Sequence, residues 1–321
     1  MATINALMKH LRANGVQITG TNQKQKLRKI GYYHGYKGYR FARTSTNKLP
    51  ISNFNEIAAL HDFDMQLKAL LYPYLMQAET ALKNRVLEAT LADAHSEKFD
   101  DIYKYSLTSY RCAISKSKKK DEWTRRLRLR TEIDNIFVRN HEKNQVVRHF
   151  RDLDQDVPIW ALFELMTLGS FGSFYTCLDD RVKLAICRDL NMPIDIFDSK
   201  ILLEKIIFIF RDLRNAIAHN GIILDVRFQT GKIDGTLKNF MCKTFSTKEI
   251  NFDEITDYVL LLIYLLAHLG FTKTECRQLL QGYKTIIERY RDILPYNIYS
   301  QFLRTQTRAK VTAGELYIRN L

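Results

Sequence analysis

The sequence predicts an all-α helical bundle, and three observations support that prediction. Apolar residues recur at the three- and four-residue spacing of a helix through most of the chain. Only 13 glycines and 5 prolines interrupt its 321 residues. With 46% hydrophobic residues, the chain is long enough to bury a sizeable core. A small β-hairpin or an ordered loop is expected near 222–248, where Gly231 and Gly235 separate short β-prone runs.

Helical periodicity and turn residues divide the chain into elements. In order, the predicted helices cover residues 5–14, 23–30, 55–94, 123–150, 159–168, 173–190, 199–219, 252–270 and 274–294. Pro73 is expected to break the third helix, because proline lacks a backbone N–H. Residues 96–109 are predicted to be irregular and 169–172 to form a turn. Residues typical of helix ends are Gly15, Pro158 and Gly221.

The net charge of +14 is concentrated in two segments. Residues 1–50 carry ten basic and no acidic side chains, and residues 111–151 carry thirteen basic and five acidic ones. Residues 152–321 are balanced, with twenty-one of each. This distribution predicts a polyanionic partner. Two solvated basic faces are the alternative interpretation.

Several classes of protein are disfavoured by the sequence. The five cysteines lack zinc-ligand spacing and a disulfide framework, which predicts a reducing, cytoplasmic location. No signal peptide is expected, and the most apolar run, 259–266, is too short to span a bilayer and predicts a buried helix. Phosphate-loop, dinucleotide and metal-ligand motifs are missing from the sequence, so we expect neither cofactor nor metal.

The segment Arg214-Asn215-Ala216-Ile217-Ala218-His219 ends an apolar helix and carries the strongest chemical signal. Metal-independent RNA cleavage uses the 2′-hydroxyl as nucleophile and needs groups that remove and donate protons. Histidine titrates near neutrality, and a helix C-terminus favours its charged form, which suits a general acid. Arginine stabilises charge on the phosphorane oxygens. We therefore predict Arg214, Asn215 and His219 as catalytic; a buried structural Arg–His pair is the alternative.

Two basic stretches are candidates for RNA binding. Aromatic rings stack on bases and basic side chains contact phosphates. The predicted RNA contacts are Lys24, Lys26, Arg28, Lys29, Tyr32, Tyr33, Lys37, Arg40, Lys118, Lys119, Lys120, Arg125, Arg126, Arg128 and Arg130. For the Gly/Tyr-rich segment 31–40, an aromatic plug beneath a loop is the alternative.

Four blocks follow one another in an order typical of a known family. They are Lys29-Ile30-Gly31-Tyr32-Tyr33 with Gly38-Tyr39, Asp62-Phe63-Asp64 through Glu79 and Arg85, Pro158-Ile159-Trp160 with Glu164 and 169–172, and Arg214-Asn215-x3-His219-Asn220. Over about residues 5–225 the chain resembles the Abi family of bacterial abortive-infection proteins, within the HEPN superfamily.

This resemblance implies a HEPN-type helical bundle, a metal-independent endoribonuclease and a homodimer in which two motifs form one site. It implies antiviral defence, with restraint by a partner such as a small RNA, as in toxin–antitoxin pairs. It also suggests that Glu79 positions an arginine. The expected domains are a basic segment 1–50 packed on the core, a HEPN-like domain 51–295 with a basic insertion at about 96–151, and a basic tail 296–321.

Two other functions are compatible with the sequence. One is a non-catalytic HEPN RNA-binding protein that forms a stable complex with a small non-coding RNA. The other is a helical interaction protein whose basic faces meet an acidic protein.

Overall fold

The computed structural model describes residues 3–194, 198–229 and 231–321. Within these ranges it contains fifteen α-helices and no β-strand, which confirms the all-α prediction. None of the described helices is both long enough and apolar enough to cross a membrane.

The helices are α1 (Ile4–Ala13), α2 (Gly20–His34), α3 (Phe54–Ala94), α4 (Phe99–Tyr105), α5 (Lys116–Asn140), α6 (Gln145–Asp152), α7 (Ile159–Leu165), α8 (Leu168–Cys177), α9 (Asp180–Asp189), α10 (Ser199–Ala218), α11 (Gly235–Thr244), α12 (Ile255–His268), α13 (Lys273–Ile293), α14 (Tyr296–Tyr299) and α15 (Thr307–Asn320). Two 3₁₀ turns cover Lys37–Tyr39 and Tyr110–Cys112.

The chain forms two compact units, one of residues 1–75 and 212–321 and the other of residues 76–211. In the first unit α12 lies at the centre, since every residue from Ile255 to Leu266 is buried. Helices α13 and α15 pack on it. In the second unit α5 packs against α7 and α8. The domain boundaries expected at 50 and 295 stay predictions.

The predicted hairpin near 222–248 is wrong, because helix α11 occupies residues 235–244. Asp234 caps this helix by accepting a 3.1 Å hydrogen bond from the backbone N–H of Leu237. Leu237, Phe240 and Met241 then bury one helical face. Gly235 therefore begins a helix and does not form a turn between strands.

Further expectations need correction. Pro73 lies inside the 41-residue helix α3 and does not break it. Helix α4 occupies part of the segment expected to be irregular. Helix α8 runs through the expected turn at 169–172, because Thr167 caps it. The helix expected over 123–150 is divided into α5 and α6, where the Asn144 side chain accepts from two backbone N–H groups.

The helix expected over 173–190 is likewise two helices, since α8 ends at Cys177 and α9 begins at Asp180. The side chain of Asp179 caps α9 by accepting from the backbone N–H of Arg181. The long helices expected near 199–219, 252–270 and 274–294 are confirmed as α10, α12 and α13.

A buried cation holds α15 on α12. Lys310 Nζ contacts Glu254 Oε1 and Asp257 Oδ1, each at 2.6 Å, and both carboxylates are fully buried. Burial raises the pKa of Asp257 to about 6, although the Lys310 ammonium lowers it. The two acidic side chains thus depend on one ammonium group for their charge balance.

Replacing Lys310→Met should destabilise the protein by about 3–5 kcal/mol, because it leaves two buried carboxylates without their cation. Chemical denaturation followed by circular dichroism measures this loss. The control is Lys284→Met, which removes an exposed ion pair with Glu315 and should cost less than about 1 kcal/mol. Equal losses in the two variants would contradict the assignment.

Candidate active site

Helix α10 ends in a Schellman motif immediately beyond the predicted catalytic residues. Asn220 adopts a left-handed conformation with φ 53°. The N–H of Asn220 donates to the Ile217 carbonyl (3.1 Å), and the N–H of Gly221 donates to the Ala216 carbonyl (2.7 Å). A Cβ atom on Gly221 would lie 3.2 Å from that carbonyl oxygen. Asn220 is therefore the left-handed residue that ends the helix. Because Gly221 has no Cβ atom, its backbone can lie close to the Ala216 carbonyl.

Of the three predicted catalytic residues, Arg214 and Asn215 lie in the last turns of α10, and His219 follows its last residue. Arg214 and Asn215 are half-buried, and Arg214 Nη1 donates to Asn215 Oδ1 at 3.2 Å. His219 is exposed, and its backbone N–H donates to the Asn215 carbonyl at 3.0 Å. The imidazole is accessible to a ligand, while the arginine and asparagine are partly enclosed by the fold.

Two side chains of α3 hold the loop that follows His219. Asp64 and Lys68 form a 2.6 Å ion pair one turn apart. Lys68 Nζ also donates to Asn220 Oδ1 at 2.9 Å. Asp64 Oδ1 accepts from the backbone N–H groups of Ile223 (2.8 Å) and Leu224 (2.9 Å). The loop is thus fixed at both ends by one buried ion pair.

His34, at the end of α2, contacts the same asparagine. Its Nε2 lies 3.4 Å from Asn220 Nδ2, which donates when the imidazole is neutral. Burial and the charges of Lys68 and His61 lower the pKa of His34, although Asp64 raises it. The neutral form is therefore favoured at neutral pH. We call the contacts of His34, Asp64 and Lys68 with residues 220–224 the loop clamp.

The loop clamp was not predicted from the sequence. Asp64 and Lys68 have the i,i+4 spacing of an ion pair within an apolar helix, which is the only local signal. Asn220 lies 152 residues from Lys68 and 186 residues from His34 along the chain. No periodicity connects positions so far apart.

The Gly/Tyr-rich segment lies against this loop and is partly the plug that was the alternative interpretation. Tyr36 and Tyr39 are buried, and a Cβ atom on Gly38 would lie 2.6 Å from Ile222 Cδ1. Tyr33 is exposed, and the Tyr32 hydroxyl lies 3.1 Å from His10 Nε2. Of the four tyrosines, only Tyr32 and Tyr33 remain accessible to a base.

A second contact fastens the same segment. Arg227 forms a bidentate ion pair with Asp225, which also accepts from the backbone N–H of Arg43 at 2.7 Å. Arg227 Nη2 donates to the Phe41 carbonyl at 2.8 Å. Residues 31–43 and 220–227 therefore form one hydrogen-bonded surface within the first unit.

Residues from three of the sequence blocks thus meet at the end of α10. The profile of the Abi-like protein family matches residues 25–225, which is more than half of the chain and includes the whole loop clamp. The chain belongs to the Abi-like protein family. Membership indicates a function in abortive infection. No curated protein and no solved structure matches the chain.

The predicted RNA contacts of this Abi-like protein differ in how far their charges are already engaged. In the first unit, Lys26 pairs with Asp62 at 2.6 Å, and Lys24 and Arg40 are half-buried. The other three predicted contacts in this unit that carry a positive charge, Arg28, Lys29 and Lys37, are exposed.

In the second unit all seven predicted contacts lie on α5. Lys118, Lys119, Lys120 and Arg128 are exposed. Arg125 pairs with Glu122 at 2.9 Å and Arg130 with Asp100 at 2.8 Å. Arg126 donates to the carbonyls of Tyr103, Leu107 and Thr108, so its guanidinium anchors α5 to the preceding segment.

Two further observations concern Glu79 and metal binding. The buried Glu79 forms a 2.9 Å ion pair with Lys83, one turn along α3. Among the described residues, no group of three or more His, Cys, Asp or Glu side chains is placed to hold a metal ion.

Replacing Asp64→Ala should release the loop after α10, because Ile223 and Leu224 lose their acceptor and Lys68 loses its counter-ion. We expect faster amide hydrogen exchange in peptides covering residues 219–224 and a stability loss of about 3–5 kcal/mol. Mass spectrometry measures the exchange. The control is Asp62→Ala, which removes the more exposed ion pair with Lys26. Unchanged exchange at 219–224 in the Asp64 variant would rule out the clamp.

Proposed function

We propose that this Abi-like protein is a metal-independent HEPN endoribonuclease that acts in antiphage abortive infection. One observation carries the proposal: an exposed His219 ends a helix one turn beyond Arg214 and Asn215, and a buried ion pair fixes the loop that follows it. The substrate is RNA, whose 2′-hydroxyl is the nucleophile.

The proposed roles follow from the chemistry of each group. His219 protonates the leaving 5′-oxygen, because imidazole is a side chain that can act as a general acid near neutral pH. Arg214 stabilises the negative charge that grows on the phosphorane oxygens. Asn215, which accepts a hydrogen bond from Arg214, restrains the orientation of the guanidinium.

A homodimer would complete the site. One copy presents a single His219, whereas cleavage requires one group that removes a proton and one that donates it. Two copies related by twofold symmetry bring two identical motifs together through an isologous contact. The exposure of Ala218, His219 and Asn220 supports this arrangement, because the end of α10 remains open to a second copy.

Replacing His219→Ala should reduce RNA cleavage by at least about 100-fold, because general acid–base catalysis contributes that much. RNA affinity should remain nearly unchanged. The measurement compares RNA that co-purifies with the wild type and the variant, by gel and by analysis of 2′,3′-cyclic phosphate ends. Cyclic ends in the wild type alone are the expected result.

The control is His141→Ala, which removes an exposed histidine next to the end of α5. It should leave cleavage and growth arrest intact. Full toxicity of the His219 variant in cells, or identical cleavage products from it, would refute the nuclease assignment.

A second candidate function is a non-catalytic RNA-binding protein in a stable complex with a small regulatory RNA. The charge distribution favours it, since residues 111–151 carry thirteen basic and five acidic side chains. This function requires the exposed lysines of α5 but not the imidazole of His219.

Replacing Lys118, Lys119 and Lys120 together by Gln should weaken RNA binding and lower the salt dependence. Each lost phosphate contact on a single strand reduces the slope of log affinity against log salt by about 0.7, so the triple variant should lose about 2. Filter binding over a salt series measures the slope.

The matched control replaces three cations that are already paired with glutamates of α13 and α15, namely Lys284, Arg291 and Arg308. It removes the same total charge and should change the slope little. Equal changes in the two triple variants would indicate attraction by net charge alone and no defined contact surface.

A further inference from the structure

Two aromatic rings lie next to each other beside the basic start of α5. Trp123 is 53% exposed, although it is one of the largest apolar side chains in the chain. The half-buried Tyr110 lies beside it, with ring centroids 6.4 Å apart and an interplanar angle of 35°. We call this pair the Tyr110–Trp123 platform.

Arg126 links the two segments that carry the platform. Arg126 lies three residues after Trp123 on α5 and donates to the carbonyls of Leu107 (3.2 Å) and Thr108 (3.0 Å). Its guanidinium carbon also lies 4.4 Å from the centroid of the Tyr103 ring. An arginine predicted to contact RNA thus holds the two rings in position relative to each other.

Cations surround the platform on the same helical face. Lys116, Lys119 and Lys120 precede Trp123 by seven, four and three residues, which places them on its side of α5. Arg111 adds a guanidinium 5.9 Å from the centroid of the Tyr110 ring. Within the part of the chain that the structure describes, these three lysines form no ion pair.

The side chains of this surface indicate which kind of ligand it fits. Exposed aromatic rings flanked by unpaired lysines fit a single-stranded nucleic acid, whose bases stack while its phosphates meet the ammonium groups. Duplex RNA keeps its bases inside the helix and offers no free face for stacking.

We propose that the Tyr110–Trp123 platform binds unpaired bases of single-stranded RNA, with Lys116, Lys119 and Lys120 holding the adjacent phosphates. This inference rests on the proposed RNA-binding function. It adds that the ligand is single-stranded, and it names the residues that contact its bases and phosphates. Trp123 thereby becomes the principal stacking residue of the α5 surface.

The chain has two tryptophans, which makes the test direct. Trp160→Phe leaves Trp123 as the only indole, and Trp123→Phe leaves Trp160, which is 39% exposed. Both full-length variants are titrated with a single-stranded RNA of about 12 nucleotides and with the matching duplex. His219→Ala is included in each so that the RNA stays intact.

We expect single-stranded RNA to quench the fluorescence of Trp123 and to leave that of Trp160 nearly unchanged. Trp123→Ala should weaken single-strand binding by roughly tenfold without changing the salt slope, because indole carries no charge. Tyr110→Leu should weaken it in the same direction. Circular dichroism verifies that each variant is folded.

If duplex and single-stranded RNA bound with equal affinity and neither quenched the fluorescence of Trp123, the platform would be refuted. RNA binding through charge alone would still be consistent with that result. Quenching of Trp123 by an acidic protein but not by RNA would overturn it in favour of a protein partner. A lack of RNA binding at low salt would remove both the platform and the proposed function. Quenching by single strands in a protein that never cleaves RNA would support the platform and refute only the nuclease assignment.

Discussion

Asp64 and Lys68 lie one turn apart on α3, and their side chains are 0% and 6% exposed. Removing both charges from water costs free energy that the ion pair alone does not recover. The remaining compensation comes from the loop after α10, because two backbone N–H groups donate to Asp64 and Asn220 accepts from Lys68. The ion pair is therefore stable only when this loop is seated, and the loop is held only when the pair is intact.

This mutual dependence explains how an exposed histidine can have a defined position. His219 immediately precedes Asn220, whose side chain contacts both Lys68 and His34. The left-handed backbone of Asn220 closes the helix and directs its amide toward these partners. The position of His219 is thus set by contacts of the residue that follows it, and the imidazole itself remains exposed.

The sequence predicted elements whose signals are local. Helices α10, α12 and α13 were found because their apolar residues repeat over at least fourteen positions. Pro73 misled the prediction because the missing hydrogen bond costs about 3 kcal/mol, which the buried residues on both sides of it, such as Leu71 and Leu75, offset. Thr167 and Asn144 decided the helix boundaries through side-chain hydrogen bonds to backbone N–H groups, which composition does not reveal.

At the candidate site, Arg214, Asn215 and His219 could be predicted because their side chains lie in one short segment, whereas the contacts of Lys68 and His34 with Asn220 join distant parts of the chain.

The basic side chains of α5 also show what the sequence alone does not reveal, namely which cations already have partners. In the sequence, Lys119 and Arg126 contribute equally to the positive segment 111–151. In the structure, Arg126 is committed to three carbonyls, and Arg125 and Arg130 are paired with carboxylates. A cation that already has partners gains less from a phosphate than one surrounded by water, because the existing contacts must be given up. The exposed lysines at the start of α5 therefore keep their charge free, whereas Arg125, Arg126 and Arg130 farther along are engaged with neighbouring groups.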